Sequence, residues 1–266
     1  MAKGATDFLM ARAADDLLDR LLTVKREFPR SLDLGSPTEH FSQAVAASGR
    51  ARPLRASSHG GDVVIDEEAP PFAAGSFDLI VSGMALQWVN DLPGVLTQTR
   101  RMLAPDGLFL ACLVGGASLA ELRSALAQAE EEISGGASPR VSPFVDVRDM
   151  GALLQRAGFA LPVADVDSVT LRHDSMFALM DDLRAMGAAN VLAKRARKPL
   201  RRDIIARAAQ IYAERFSDPD GRVRATFEIV WASGWAPHES QQKPAQRGSA
   251  TMRLEDAMKS SRKGDA

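Results

Sequence analysis

Apolar residues recur along the chain with two different spacings, and the spacing separates predicted helices from predicted strands. Between residues 7 and 27, leucines repeat three to four positions apart, which predicts an amphipathic helix. Residues 77–82 and 108–114 are instead short, almost uninterrupted apolar runs, which are typical of strands buried on both faces. Strand and helix patterns then alternate over most of the chain.

The order of the predicted elements indicates a fold class. The predicted strands cover residues 31–35, 52–57, 62–65, 77–82, 108–114, 161–171 and 223–232. The predicted helices cover residues 7–27, 37–48, 91–103, 118–133, 147–157, 174–186 and 200–216. Apolar strands that alternate with helices predict an α/β protein with an open, mostly parallel sheet covered by helices.

Two turns have specific sequence signals. Ser36-Pro37-Thr38-Glu39 places Ser at the N-cap, Pro at the first helical position and Glu at the third, which predicts that a helix begins here. Pro105-Asp106-Gly107 predicts a turn before the strand at residue 108, with Gly107 taking the positive φ.

Composition and charge narrow the class of protein. The chain has 266 residues and a formal net charge of −1, which excludes a globally basic nucleic-acid coat. Its single cysteine, Cys112, excludes an internal disulfide and a cysteine-based zinc site. The longest near-apolar run, residues 108–116, is well short of the roughly 20 residues of a membrane helix.

The acidic N-terminus, without an apolar signal core, predicts a cytoplasmic protein, or a mitochondrial matrix protein only if a leader is missing from this chain. We expect residues 1–28 to form a helix packed on the body and residues 237–266 a polar tail. Residues 29–236 form the expected domain, with a helical cap at about 174–217.

Ligands of open parallel sheets bind beyond the carboxyl ends of the strands. The loops after Ile65, Ser82 and Val114 should therefore share one rim, with the cap above it. Gln87 and Trp88 follow the fourth predicted strand at this rim and are candidates for substrate contact. A core position is the alternative for Trp88, because a large ring gains from burial.

Basic residues supply weaker candidates for a partner site. Residues 194–202 contain six basic side chains and no acid, so that Arg195 and Arg197 are candidates for binding an acidic protein; a solvated helix face is the alternative. No aromatic residue interleaves with this charge, so nucleic acid is not a predicted partner. Arg140 lies in a loop with two prolines and is a candidate for an anionic group, or a plain surface arginine.

Sequence motifs for catalysis are few. The four histidines, at positions 40, 59, 173 and 238, are isolated from one another, so we predict no metal site. There is no nucleophile elbow or phosphate-binding loop, and the catalytic residues stay unknown.

Three strings resemble the region that follows the cofactor loop in class I S-adenosylmethionine-dependent methyltransferases of the type 11 group. They are residues 77–82, residues 86–92 and residues 103–109, and this resemblance covers about 30–115. Separated strings at 115–116, 121–123, 138–144, 234–235, 238–241 and 247–250 are similar to the methyltransferase-like assembly factors of respiratory complex I and their bacterial relatives. The resemblance implies a seven-stranded sheet whose last strand is antiparallel and inserted beside the sixth.

The resemblance also implies S-adenosylmethionine as cofactor and a set of residues around it. Asp33, Gly35 and Ser36 match the turn after the first strand, Asp66 and Glu67 match the acidic pair that faces adenine, and Ser82, Met84 and Leu86 match the wall beneath. Two features depart from the family pattern. Pro37 stands where a second glycine is usual, and the second strand ends in Ser57-Ser58 without the carboxylate that holds the ribose.

The expected function is that of an S-adenosylmethionine-dependent methyltransferase-like protein that acts on a protein substrate, a complex I (NADH dehydrogenase) subunit being the candidate. The resemblance implies an arginine hydroxylase of such a subunit as one alternative. A non-catalytic assembly chaperone is the other, favoured by the altered glycine turn.

Overall fold

The computed structural model describes residues 8–193, 195 and 199–242. The strands are β1 (Ser31–Leu34), β2 (Leu54–Ser57), β3 (Val63–Val64), β4 (Phe77–Gly83), β5 (Leu103–Val114), β6 (Ala160–His173) and β7 (Val223–Trp235). The helices are α1 (Phe8–Leu22), α2 (His40–Ala47), α3 (Leu92–Met102), α4 (Ala120–Ser134), α5 (Val147–Arg156), α6 (Met176–Ala185) and α7 (Arg202–Phe216). One further turn of 3-10 helix spans Leu86–Trp88.

The strands form one seven-stranded sheet in the order β3-β2-β1-β4-β5-β7-β6. The first five strands are parallel, and β7 runs antiparallel to both β5 and β6, between which it is inserted. The fold class predicted from the sequence is therefore confirmed, including the antiparallel last strand beside the sixth.

Each face of the sheet has its own hydrophobic core, because side chains alternate along the strands. Leu79 and Val81 of β4 pack on the side that holds α1, α2, α4, α6 and α7. Ile80, between them, packs on the side that holds α3 and α5. Burial on both faces explains why the central strands are apolar throughout rather than alternating.

The predicted start of the second helix is wrong. Helix α2 begins at His40 rather than at residue 37, and its N-cap, Glu39, makes no side-chain capping hydrogen bond. The Ser36 hydroxyl instead accepts a hydrogen bond of 2.8 Å from the backbone N–H of Gly83, at the end of β4. The Ser36 hydroxyl oxygen, which would cap the predicted helix, is therefore bonded to a distant strand instead.

The predicted turn at residues 105–107 is also wrong in detail. These residues lie within β5, which already begins at Leu103, and the positive φ, 61°, falls on Asp106 rather than on Gly107. The Asp106 N–H donates to the carbonyl of Ala236, and the Ala236 N–H donates to the carbonyl of Gly107. Pairing with the segment after β7 therefore sets this backbone.

Helix α1 packs along the sheet through its apolar face, on which Leu9, Ala13, Leu17 and Leu21 are buried. Arg20 fixes the exposed side of the helix: its guanidinium donates two hydrogen bonds, of 2.7 and 2.9 Å, to Asp165 of β6 and lies over the Trp231 ring. Within the described ranges, no helix combines the length and the hydropathy that crossing a membrane requires.

Candidate functional site

A cavity of about 530 Å³ opens at the carboxyl ends of the parallel strands. Its lining includes Gly35 after β1, Ser58 after β2, Glu67 after β3, Ala85 after β4 and Val114 of β5. The rim predicted from strand order is therefore where the cavity lies, and its volume falls in the range of ordinary small-molecule sites.

Two helical segments close the cavity from above and from the side. Leu9 and Met10 of α1 contribute one apolar wall. Leu183 of α6 contributes another, together with Met186, Gly187, Ala188 and Val191 after the helix. Helix α7 packs against α4 and β7. The cavity is consequently lined mainly by apolar side chains, with its polar groups gathered beside the ends of β2 and β3.

Gly35 gives the floor of the cavity its space. Its φ of 78° suits glycine, and a Cβ atom placed on it would lie 3.1 Å from both the Ala85 Cβ and the Glu67 Cγ. Pro37 also lines the cavity, and it leaves the hollow open. The glycine at position 35 is thus required by close approach as well as by backbone conformation.

Asp33 lies beneath this floor and is 1% exposed. Neither carboxylate oxygen has a hydrogen-bond partner of acceptable geometry among the described residues, although Ser36 is close enough to favour the charged form. Burial raises the pKa of Asp33 from 3.8 to about 6, with Ser36 and Arg55 opposing the effect. Asp33 does not line the cavity, although it lies two residues before Gly35, which does. Its carboxylate is therefore a buried acidic group near the floor rather than a direct contact for a ligand.

Three further residues predicted for the cofactor site hold its floor together or pack below it. Ser82 donates a hydrogen bond of 2.7 Å to the Leu34 carbonyl, and Ser36 accepts one from Gly83, so both serines join β1 to β4. Leu86 is buried in the core on the α3 side. None of the three is among the residues that line the cavity.

The three consecutive carboxylates after β3 have different contacts. Asp66 accepts a hydrogen bond from the Glu68 backbone N–H, which shapes the loop. Glu68 Oε1 accepts hydrogen bonds from both nitrogens of Asn90, at 2.5 and 3.2 Å, and so is occupied by a neighbouring loop. Glu67 Oε1 instead accepts from the backbone N–H and the hydroxyl of Ser58, at 2.8 and 3.0 Å.

Met84, Gln87 and Trp88 of the predicted set line the cavity. Trp88 is 41% exposed, so the alternative of a core position is wrong. The Gln87 side-chain amide donates to the Met84 carbonyl at 2.7 Å, and its buried oxygen has no partner among the residues described. This stretch therefore presents an aromatic face and a polar acceptor beside the apolar wall.

The candidate arginines lie elsewhere. Arg140 pairs with Glu130, which is only 4% exposed, and neither it nor Arg195 lines the cavity. Arg195 is exposed and donates to the Leu192 carbonyl at 3.0 Å. Arg197 lies outside the described residues, so its predicted contact with a partner stays a prediction, as do those of Arg140 and Arg195.

Sequence reasoning missed Ser58 and His59, which both line the cavity. In the sequence, Ser58 marks only the missing ribose carboxylate and His59 is one of four isolated histidines, although their loop follows a parallel strand and so had to lie at the same rim. It also missed α1 as a wall. Among the residues described, no three His, Cys, Asp or Glu side chains come together as a candidate metal site.

Comparison with known proteins assigns the chain to a family. The methyltransferase domain family matches residues 8–162. The chain is also 40% identical over 266 residues to the mitochondrial arginine-hydroxylase NDUFAF5 of Danio rerio, covering 95% of this chain and 83% of the relative. The chain belongs to the methyltransferase domain family.

A bacterial relative and a solved structure are also similar to this chain. The malonyl-[acyl-carrier protein] O-methyltransferase of Halorhodospira halophila is 34% identical over 248 residues, covering 85% of this chain and 81% of the relative. A solved methyltransferase-like protein of Bacillus halodurans C-125 has the same fold, with a TM-score of 0.55 at 16% identity over 83% of this chain and 97% of that one.

Proposed function

We propose that this methyltransferase-family protein binds S-adenosylmethionine in the cavity and modifies an arginine side chain of a protein substrate, a subunit of NADH dehydrogenase. One observation carries the proposal: the cavity is lined by three carboxylates, Asp66, Glu67 and Glu68, and by no lysine or arginine among the residues that the structure describes. Such a lining favours a cationic ligand and disfavours phosphorylated nucleotides.

The residues present fit the cofactor. The space above Gly35, which a Cβ atom would fill, suits a nucleoside joined to an amino acid, and the carboxylates of the lining suit its cationic amine. Gly35, Met84 and Ala85 would hold it on the floor, while Asp66 and Glu67 would contact its polar edge. When bound, the cofactor supplies a methyl group activated by a positively charged sulfur.

An arginine side chain fits the remaining mouth of the cavity. A guanidinium stacks on indole rings and pairs with carboxylates, and Trp88 and Asp66 lie on the same lining. The similarity to the arginine-hydroxylase relatives supports the choice of arginine. The chemistry of those relatives adds an oxygen atom and requires an oxidant, whereas the family's usual chemistry adds a methyl group.

Mass spectrometry of the NADH dehydrogenase subunits from a deletion strain distinguishes the outcomes. Loss of a mark of about 16 Da on an arginine supports hydroxylation, and loss of about 14 Da supports methylation. Failed assembly with no lost mark would contradict the proposed activity and leave the non-catalytic chaperone.

A matched pair of glycine variants tests whether the cavity is responsible. We expect complementation with Gly35→Ala to leave the arginine unmodified, because the added Cβ meets Ala85 and Glu67. Gly49→Ala is the control: its φ of 73° imposes similar strain, but its Cβ would meet nothing within 4 Å. Restoration of the mark by both variants would remove the cavity from the reaction.

A further inference from the structure

Three polar side chains from the loops after β2 and β3 form one hydrogen-bonded group. The Ser58 hydroxyl donates to Glu67 Oε1 at 3.0 Å and lies 3.1 Å from His59 Nδ1. The Ser58 backbone N–H donates to the same carboxylate oxygen at 2.8 Å. All three side chains line the cavity, so they form an ordered polar group in a site that is otherwise mostly apolar.

The chemistry of the three groups fixes the direction of each hydrogen bond. An ionised carboxylate only accepts, so the single hydroxyl proton of Ser58 goes to Glu67. His59 Nδ1 must then be the donor to the Ser58 oxygen. The atoms left for a ligand are His59 Nε2 and Glu67 Oε2, which accepts no hydrogen bond from any residue in the described ranges.

Packing directs Glu67 toward the gap between β1 and β2. These strands are parallel neighbours, with Leu34 in register with Ala56. The Glu67 Cγ lies 3.1 Å from the position of a Cβ on Gly35, just beyond β1, and its carboxylate is tied to Ser58, just beyond β2. In the related dinucleotide-binding sheets, a carboxylate after the second strand accepts the ribose hydroxyl.

We infer that Glu67, held in place by Ser58, accepts the vicinal hydroxyl groups of the cofactor ribose and replaces the carboxylate that β2 lacks. The inference rests on the proposed function, since it concerns the cofactor named there. Glu67 therefore binds the ribose rather than the adenine, which is the contact that the family resemblance implies for it. Glu68 is bound through Oε1 to Asn90, in the segment after β4, so its carboxylate is held by that segment rather than by the end of β2.

Calorimetric titration with S-adenosylhomocysteine and with its 2′,3′-dideoxy analogue tests the inference through binding alone. We expect the wild-type protein to prefer the diol by about tenfold to a hundredfold, as a charge-assisted hydrogen bond implies. Glu67→Ala should reduce this preference to about threefold or less. Ser58→Ala, which removes one anchor of the carboxylate, should reduce it by a smaller factor.

Glu68→Ala is the matched control: it removes the next carboxylate of the same lining, so it should weaken the binding of both ligands alike and retain the wild-type preference between them. Circular dichroism checks that each variant is folded. An unchanged preference in Glu67→Ala, or equal affinity of the wild type for both ligands, would overturn the inference and leave the proposed function standing. Failure of the wild type to bind either ligand would overturn both.

Discussion

Buried polar side chains near the floor of the cavity differ in whether their atoms have hydrogen-bond partners. Ser82 and Asp33 lie on adjacent strands at the same floor, but Ser82 donates to the Leu34 carbonyl, whereas both Asp33 oxygens lack a hydrogen-bond partner among the described residues. A buried carboxylate without partners costs free energy in its charged form. Removing the charge of Asp33 should therefore stabilise the protein.

Asp33→Asn should raise the free energy of unfolding at pH 7.5. The pKa of Asp33 is raised to about 6 in the folded protein against 3.8 when exposed. Between these values the folded state binds more protons, so stability falls as pH rises through this window and the full penalty acts above pH 6. The difference corresponds to about 3 kcal/mol at pH 7.5.

Urea denaturation of Asp33→Asn and wild type from pH 7.5 down to about 4 measures this effect. The advantage of the variant should shrink below pH 6 and become small near pH 4, because the folded state is then protonated and the unfolded carboxyl is close to its own pKa of 3.8. The exposed Asp15 provides a control, since Asp15→Asn should follow the wild-type curve. A variant with no advantage at pH 7.5 would mean that the buried carboxylate is compensated.

At the scale of elements, the ends of the strands are joined by side chains rather than by the local capping motifs that the sequence suggested. Ser36 bonds Gly83, and Ser82 bonds Leu34, so β1 and β4 are linked twice where they border the cavity. These bonds position Gly35 and Met84 on either side of the cavity floor. The geometry of the site thus depends on contacts between elements.

Ser36→Ala should reduce the free energy of unfolding by about 1–3 kcal/mol, because it leaves the buried Gly83 N–H without an acceptor. Glu39→Ala, at the N-cap that makes no side-chain capping bond, should reduce it by at most about 1 kcal/mol, the value of its exposed pair with Arg55. Chemical denaturation of both variants decides between the tertiary contact and the capping box: a larger loss in Glu39→Ala than in Ser36→Ala would favour the capping box.

At the scale of the whole molecule, α1 links the edge strand β6 to the cavity. Arg20 pairs with Asp165 on the outer strand β6, while Leu9 and Met10 line the cavity. Between these contacts, the buried face of the helix lies in the same hydrophobic core as Val81 of β4 and Cys112 of β5. The N-terminal helix is therefore part of both the core and the site.

Leu17→Ala should destabilise the protein by about 2–5 kcal/mol, because Leu17 is fully buried in the middle of α1. Leu22→Ala, in the same helix but 42% exposed, should change stability by no more than about 0.5 kcal/mol. Urea unfolding followed by circular dichroism measures both. Equal effects would show that α1 is held by its ion pairs rather than by its apolar face.

How much of the molecule could be predicted depends on the range of the interactions. The predicted strands 77–82 and 223–232 correspond to β4 and β7, because the burial of a strand is visible in the apolar residues of its own sequence. Hydrogen bonds across the sheet leave no such pattern. The residues around Ser36 and Asp106 were misassigned for this reason, since their partners lie far along the chain.

The sequence by itself determined the α/β order and the rim at which the cavity opens, because apolar periodicity is a local property of the chain; the antiparallel final strand was implied by the family resemblance rather than by that periodicity. Only the tertiary structure decided that Asp33 is orphaned, that α1 forms a cavity wall, and that Glu67 reaches Ser58. Those features arise where segments distant in sequence meet, and the side chains there are set by packing rather than by their neighbours in the chain.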